Sequence, residues 1–267
     1  MNSKSLTKYA ALCYCTILSV VTAFAAGQAG RLDNTFGSGG IARQQTTVIR
    51  NSNFYAVGAV AIQSDGKIVV VGGVPGNNDF TVPAVFRFLS NGSLDKTFGA
   101  NGIFFLPNNF GFYAATAIQP DGKTLLGTSA GGVNSEVDRL TTAGHLDASF
   151  GSGGRVTFPD TSFLGMGLQP DGRILSGLIP LFGGASKVAR LLSNGSMDTS
   201  FGTNGFAFPP GGAGPLGPLG NGDILVFGGL ISRLTSSGAI DTTFGVNGQL
   251  LAQTGGMPRP PTATSWL

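Results

Sequence analysis

The sequence predicts an all-β protein, a β-propeller of about four four-stranded blades of roughly 50 residues each, with one extra terminal strand. Three observations point there. A corner motif occurs five times along the 267 residues, a turn motif alternates with it, and a third motif joins the two in fixed order. The composition agrees. Glycine counts 44 while Asp, Glu, Lys and Arg together make 11%, and Glu136 is the only glutamate. A chain rich in glycine and poor in straight-chain helix formers is a poor source of helices, which excludes bundles and coiled coils.

The elements follow in chain order. MNSKSLTKYAALCYCTILSVVTAFAAG places Lys4 and Lys8 before an apolar run from Ala10 to Ala25, ending in the small-residue pattern Ala23-Phe24-Ala25. That layout predicts a secretory signal peptide, residues 1–25, cleaved after Ala25. A retained anchor is the alternative, but the run is shorter than the ~20 residues of a spanning helix, and no later stretch spans. Cleavage would remove Cys13 and Cys15, the only cysteines, leaving no disulfide and no thiolate metal site. It would also take Lys+Arg from 16 to 14 against 13 acids, so that net charge falls from +3 to +1 and nucleic-acid binding loses its compositional support. Protein segments are thus expected at 1–25 for export, 26–253 for the repeat domain and 254–267 for a Pro-rich tail expected to be disordered.

The corner motif reads LDNTFGSGGI from Leu32, LDKTFGANGI from Leu94, LDASFGSGGR from Leu146, MDTSFGTNGF from Met197 and IDTTFGVNGQ from Ile240. Its acids and aromatics are Asp33 with Phe36, Asp95 with Phe98, Asp147 with Phe150, Asp198 with Phe201, and Asp241 with Phe244. The turn motif reads AIQSDGKIVVVGG from Ala61, AIQPDGKTLLGTS from Ala117, GLQPDGRILSGLI from Gly167 and a weaker PLGNGDILVFGG from Pro218. The joining motif begins at Arg87, Arg139, Arg190 and Arg233, each eight positions before the next corner Asp.

Each unit reads as four strands. Strand a ends at the Asp-Gly or Asn-Gly hairpin turn, where glycine takes positive φ freely. Strand b begins at Ile68, Leu125, Ile174 and Ile224; strand c is the run around Val85 to Leu89 and its equivalents; strand d follows the Phe-Gly-x-x-Gly corner. Runs such as VVVGG and IFFLP suit strands buried on both faces. A β-solenoid is the runner-up, but its rungs are shorter. Five d strands against four of each other type leave one surplus, so that either the first or the last latches the terminal blade. An open array completed by another copy of the chain competes with closure within one chain.

The combination LDxTFGxxG, QPDGKI and RLxxxGxLD resembles the delta-60 repeat, a β-propeller repeat family of bacterial exported or surface proteins. The resemblance covers Arg31 to Leu251. It implies a scaffold and no common reaction, and this chain is short for the family, so a truncated piece of a longer repeat protein is a further alternative.

Antiparallel order puts the a–b and c–d connections at one end of each blade and the b–c and d–a loops at the other. The a–b and c–d motifs keep their spacing, so length variation should fall in the b–c and d–a loops, where binding usually resides. The candidate binding residues there are Asn51, Asn53, Tyr55, Asn77, Asn78, Phe80, Asn108, Asn109 and Asn134. Amides with aromatic rings suit a protein or glycan surface. Ordinary solvated loops would hold the same residues as turn formers.

Chemistry finds few residues. The corner and turn aspartates recur once per unit and are expected to cap turns or pair with the preceding Arg; LDxTFGxxG offers calcium only one carboxylate. Glu136 and Asp138 are the nearest pair of remaining acids, two apart and able to share a strand face, but they read as a blade edge. The single histidine, His145, lies in a variable turn position. No cofactor, metal or catalytic residue is expected. The expectation is an exported binding or structural scaffold with an unknown protein or glycan partner, no nucleic acid and no membrane span, as a monomer or a ring-completing homo-oligomer. A glycan lyase or hydrolase with a site at the propeller axis is the alternative.

Overall fold

In a computed structural model the described residues are 31–42, 56–75, 81–106, 111, 113–130 and 133–250. The chain divides into two compact units, Met1–Arg43 and Gln44–Leu267. Of the first, the described part is one corner motif, with the Phe36 amide on the Asp33 carbonyl and the Ser38 amide on that of Ile41, both at 2.9 Å.

The second unit is a β-propeller assembly of four antiparallel four-stranded sheets, and the described residues contain no helix. Sheet 1 holds β1 (Ala56–Ile62), β2 (Ile68–Pro75), β3 (Thr81–Phe88) and β4 (Ile103–Phe105). Sheet 2 holds β5 (Tyr113–Ile118), β6 (Thr124–Ala130), β7 (Asn134–Leu140) and β8 (Arg155–Pro159). Sheet 3 holds β9 (Thr161–Leu168), β10 (Ile174–Pro180), β11 (Lys187–Leu191) and β12 (Phe206–Ala207). Sheet 4 holds β13 (Leu216–Pro218), β14 (Ile224–Phe227), β15 (Ile231–Leu234) and β16 (Gln249–Leu250). Strand order in every sheet is the order in the chain. The last corner therefore supplies the fourth strand of sheet 4, and no described strand is borrowed between sheets. Of the two d strands expected to be able to complete the terminal blade, it is the last that does so.

Sequence-stretch lengths sort by end. The a–b connections 63–67, 119–123, 169–173 and 219–223 are five residues each, and the c–d connections 89–102, 141–154, 192–205 and 235–248 are fourteen each. At the other end the b–c and d–a loops range from the single residue Asp160 to the eight of 208–215.

Apolar side chains leave both faces of the inner strands. Leu125 and Leu126 are adjacent on β6 and both fully buried, Leu126 toward sheet 1 and Leu125 toward sheet 3. Three cores result. Val69, Val71, Val85 and Phe98 meet Tyr113, Leu126 and Leu140 between sheets 1 and 2. Leu125, Val137 and Phe150 meet Ile174, Ala189 and Leu191 between sheets 2 and 3. Leu175, Val188 and Phe201 meet Ile224, Val226 and Leu234 between sheets 3 and 4. Each fully buried Leu or Val contributes about 2 kcal/mol of transfer free energy. Among the described residues no apolar core joins sheet 4 to sheet 1.

Candidate functional site

The recurrent polar residues form one clasp, repeated between blades. Asp147 accepts the Ser149 amide at 3.1 Å and its hydroxyl at 2.7 Å on Oδ1, while Oδ2 lies 2.9 Å from Arg139 Nε. The Arg139 guanidinium lies over the Phe150 ring at 4.6 Å, and its Nη1 donates to the Ser193 carbonyl of the next blade at 2.6 Å. The Gly151 amide donates to the neighbouring Asn194 carbonyl at 3.0 Å. Phe150 sits beneath Gly195, where a Cβ would come within 2.9 Å of the ring. Arg87 with Asp95 and Phe98, and Arg190 with Asp198 and Phe201, repeat this arrangement onto the Thr142 and Ser236 carbonyls. Gln63 and Gln169 add bonds from their side-chain amides to the Gly122 and Gly222 carbonyls at 3.1 and 2.8 Å.

The corner itself dictates its glycines. Gly99 has φ of 51°, and a Cβ there would lie 2.4 Å from the Ile103 carbonyl oxygen, so only glycine fits. The residue two further on is also left-handed, with φ between 51° and 62° at Gly39, Asn101, Gly153, Asn204 and Asn247. That explains why only Gly and Asn occupy the position.

Electrostatics reinforce the clasp. Burial raises the Asp147 carboxyl, but hydrogen bonds from Ser149 and Lys123 and the charge of Arg139 outweigh it, and the group titrates well below the ordinary carboxylate range. Asp95 and Asp198 are lowered in the same sense, burial again being opposed by the neighbouring hydroxyl and arginine. Asp241, whose largest influence is the Thr243 hydroxyl, is lowered too. Asp33 keeps the turn bonds, from the Thr35 amide at 2.9 Å and its hydroxyl at 2.6 Å. Asp95, Asp147, Asp198 and Asp241 each spend one oxygen on the turn and the other on an arginine. Phe98, Phe150 and Phe201 are completely buried, whereas Phe36 and Phe244 keep some exposure.

Glu136 and Asp138 do share a face of β7, but not at a blade edge. Both lie buried on the third strand of sheet 2, on the side facing sheet 1. Asp138 accepts from Tyr113 Oη at 3.0 Å and from Arg155 Nε and Nη2 at 2.7 and 3.2 Å; Glu136 Oε2 lies 3.2 Å from the same Nε. Burial pushes the Asp138 carboxyl up, against the pull of Arg155 and Tyr113. Burial and then the Asp138 charge raise the Tyr113 hydroxyl well above its ordinary range. At the matching register positions of β3 and β11 stand Ala84 with Phe86, and Lys187 with Ala189, so this polar cluster belongs to one blade alone. Sequence pattern gave the pair but not its burial, because a carboxylate on a strand carries no mark of which neighbour covers it.

Of the candidate loop residues, Asn51, Asn53, Tyr55, Asn77, Asn78, Phe80, Asn108 and Asn109 lie outside the described residues. Asn134 is described, and its Oδ1 accepts the Asp160 amide at 3.4 Å, so it caps the link from β8 to β9. His145 is exposed in a c–d turn. The opposite end, that of the b–c and d–a loops, carries further exposed residues with no part in the repeat motifs. Val133, Leu181, Phe182, Phe208 and Phe227 are all exposed there, Phe182 at 81%. Leu181-Phe182 between Pro180 and Gly183 was the available signal, since a turn-forming frame gives an apolar pair no interior to enter. Among the described residues no three His, Cys, Asp or Glu side chains gather around a metal-sized space.

No curated protein matches the sequence. A protein of unknown function from Bacteroides caccae, solved as a crystal structure, is 16% identical with a TM-score of 0.48 over 75% of this chain and 62% of its own. This chain thus spans about three-fifths of that protein. A glucose dehydrogenase crystal structure is 14% identical with a TM-score of 0.43, over 73% of each chain. With four four-stranded sheets tied corner to turn, the chain is a β-propeller protein, and its residues 63–98 and 169–201 match the family described as domain of unknown function (DUF5122) beta-propeller.

Proposed function

We propose that this protein is an exported, non-catalytic scaffold of the delta-60 repeat type that binds a protein or glycan surface through the b–c and d–a loop end of its blades. One observation supports the reading most. The recurrent charged residues bind blade to blade at the constant end, while exposed apolar side chains, Phe182, Phe208 and Phe227 among them, stand at the end where loop lengths vary. Exposed aromatic groups on a rigid frame favour surface recognition, because ring burial contributes affinity with little side-chain ordering.

A carbohydrate-active enzyme is the second reading, favoured by the adjacent Glu136 and Asp138. It is weaker, since Asp138 is enclosed and both its oxygens already accept hydrogen bonds from Tyr113 and Arg155. A glycosidase needs two carboxyls that face a common substrate. The test is the full chain on glycan and peptide arrays with the unbound fraction assayed for product. Retention without turnover is expected; oligosaccharide cleavage overturns the scaffold reading.

A further inference from the structure

The interface that joins consecutive blades is present three times, and among the described residues the two halves of a fourth, on sheets 1 and 4, have no partner. On the leading face of sheet 1, Val57, Val60 and Ile62 are 69%, 56% and 71% exposed. The residues at the Val57 position of the later blades, Tyr113, Phe163 and Ala213, are 0%, 8% and 8% exposed, because a preceding blade covers each. Val60 continues across the same face through Val70, Phe86 and Ile103, with no charge in the row.

Sheet 4 ends in the complementary half. On its trailing face Leu225, Ile231 and Leu250 take the register positions that Leu175, Val188 and Ala207 fill in sheet 3. Those three are buried against sheet 4, but Leu225 and Ile231 are partly open and Leu250 is 43% exposed. The clasp is half made as well. Arg233 bonds Asp241 at 2.6 Å and stacks on Phe244 at 4.7 Å, yet among the described residues it reaches no carbonyl of a following blade, as Arg87, Arg139 and Arg190 do. The turn that accepts this clasp elsewhere is built alike in sheet 1. The Leu89 amide there bonds the Ser93 carbonyl at 2.8 Å and the Gly92 amide that of Leu89 at 2.9 Å, as in the turns at 141–145, 192–196 and 235–239.

We infer that sheet 4 of one copy of this chain docks on sheet 1 of a second copy as sheet 3 docks on sheet 4 within the chain. This goes beyond ligand capture at the loop end, which the docking leaves free. The contact is head-to-tail, so it repeats until the accumulated rotation closes a ring of chains. A second copy is the fitting occupant because its sheet 4 brings both the apolar register and the arginine clasp that this joint uses three times over.

Sedimentation of the full chain across a wide concentration range tests this. The expected result is a mass of at least two chains of 27.1 kDa at high concentration, falling to one on dilution. Val60→Lys blocks the leading face and Leu250→Asp the trailing face; both positions are exposed, so each variant is expected to melt like the dilute parent. Each alone should sediment as one chain. An equimolar mixture should regain a two-chain species, because each variant still carries the face the other lacks. A single-chain mass for the parent at every concentration overturns the inference, as does association that neither substitution weakens. A mixture that stays monomeric overturns the head-to-tail pairing.

Discussion

Arg139 reaches the backbone of Ser193, fifty-four positions later in the chain, at 2.6 Å while its guanidinium plane rests on Phe150. One side chain thus ties a corner to the turn of the following blade, over a ring that is itself completely buried.

Position along the array should decide what an arginine is worth. Arg190 bonds the next blade with a side chain only 6% exposed, whereas Arg233 is 28% exposed and bonds within its own corner. Arg190→Ala should cost about 3 kcal/mol, as expected for a broken buried pair. Arg233→Ala should cost about 1 kcal/mol, nearer the value of a surface pair. Urea unfolding of dilute protein checks both; equal losses would show that the cross-blade carbonyl contributes little.

Two of the positive-φ corner positions, Gly151 and Gly153, should answer differently to substitution. A Cβ at Gly151 meets the Arg155 carbonyl oxygen at 2.2 Å, and at Gly153 it meets nothing within 4 Å. Gly151→Ala should therefore cost more than about 2 kcal/mol, and Gly153→Ala about 1 kcal/mol from φ alone. Gly153→Asn should be close to neutral, because Asn101, Asn204 and Asn247 already hold that conformation. Thermal melts of the three variants rank them.

Acid should loosen the clasp late. Asp95, Asp147 and Asp198 have carboxyls lowered on folding, so their stabilisation is complete above the ordinary value of about 4 and is lost as pH falls through the lower folded values. Asp138 acts oppositely. Its carboxyl is raised, so protonating it on the way down to about pH 4 relieves a penalty in the folded state. Melting temperature should hold or rise slightly from neutral pH to about 4 and fall below it, and Asp147→Asn should flatten the fall. A steady decline beginning near neutrality would contradict this assignment.

The loop end should separate binding from stability. Phe182→Ser with Phe208→Ser, or Asn77, Asn78 and Phe80 replaced together by serine, should reduce retention on whichever array feature captures the parent. The exposed phenylalanines should shift stability by no more than about 0.5 kcal/mol. Parallel melts and array readings decide it; unchanged retention places binding elsewhere.

The blades were legible in the sequence because the same physical demand recurs. A left-handed corner admits only Gly or Asn, and an arginine eight residues ahead of an aspartate marks a bond across a c–d turn, so repetition exposes both. Single departures from the repeat were less legible. Glu136 and Asp138 have no counterpart in the other blades, and only the neighbouring sheet, absent from any local pattern, puts them inside. The openness of Val57, Val60 and Ile62 was hidden for the same reason: as sequence they match the strands that follow, and what differs is that no described blade precedes them.

Among the described residues each sheet is drawn from one stretch of chain, with its four strands in sequence order. A blade can then finish its own hydrogen bonding during synthesis, before the next has been made, and set down a ready template for it. Gene duplication or loss of one unit would change the array's length without breaking any sheet, so unit number is a trait free to drift while the joints stay the same.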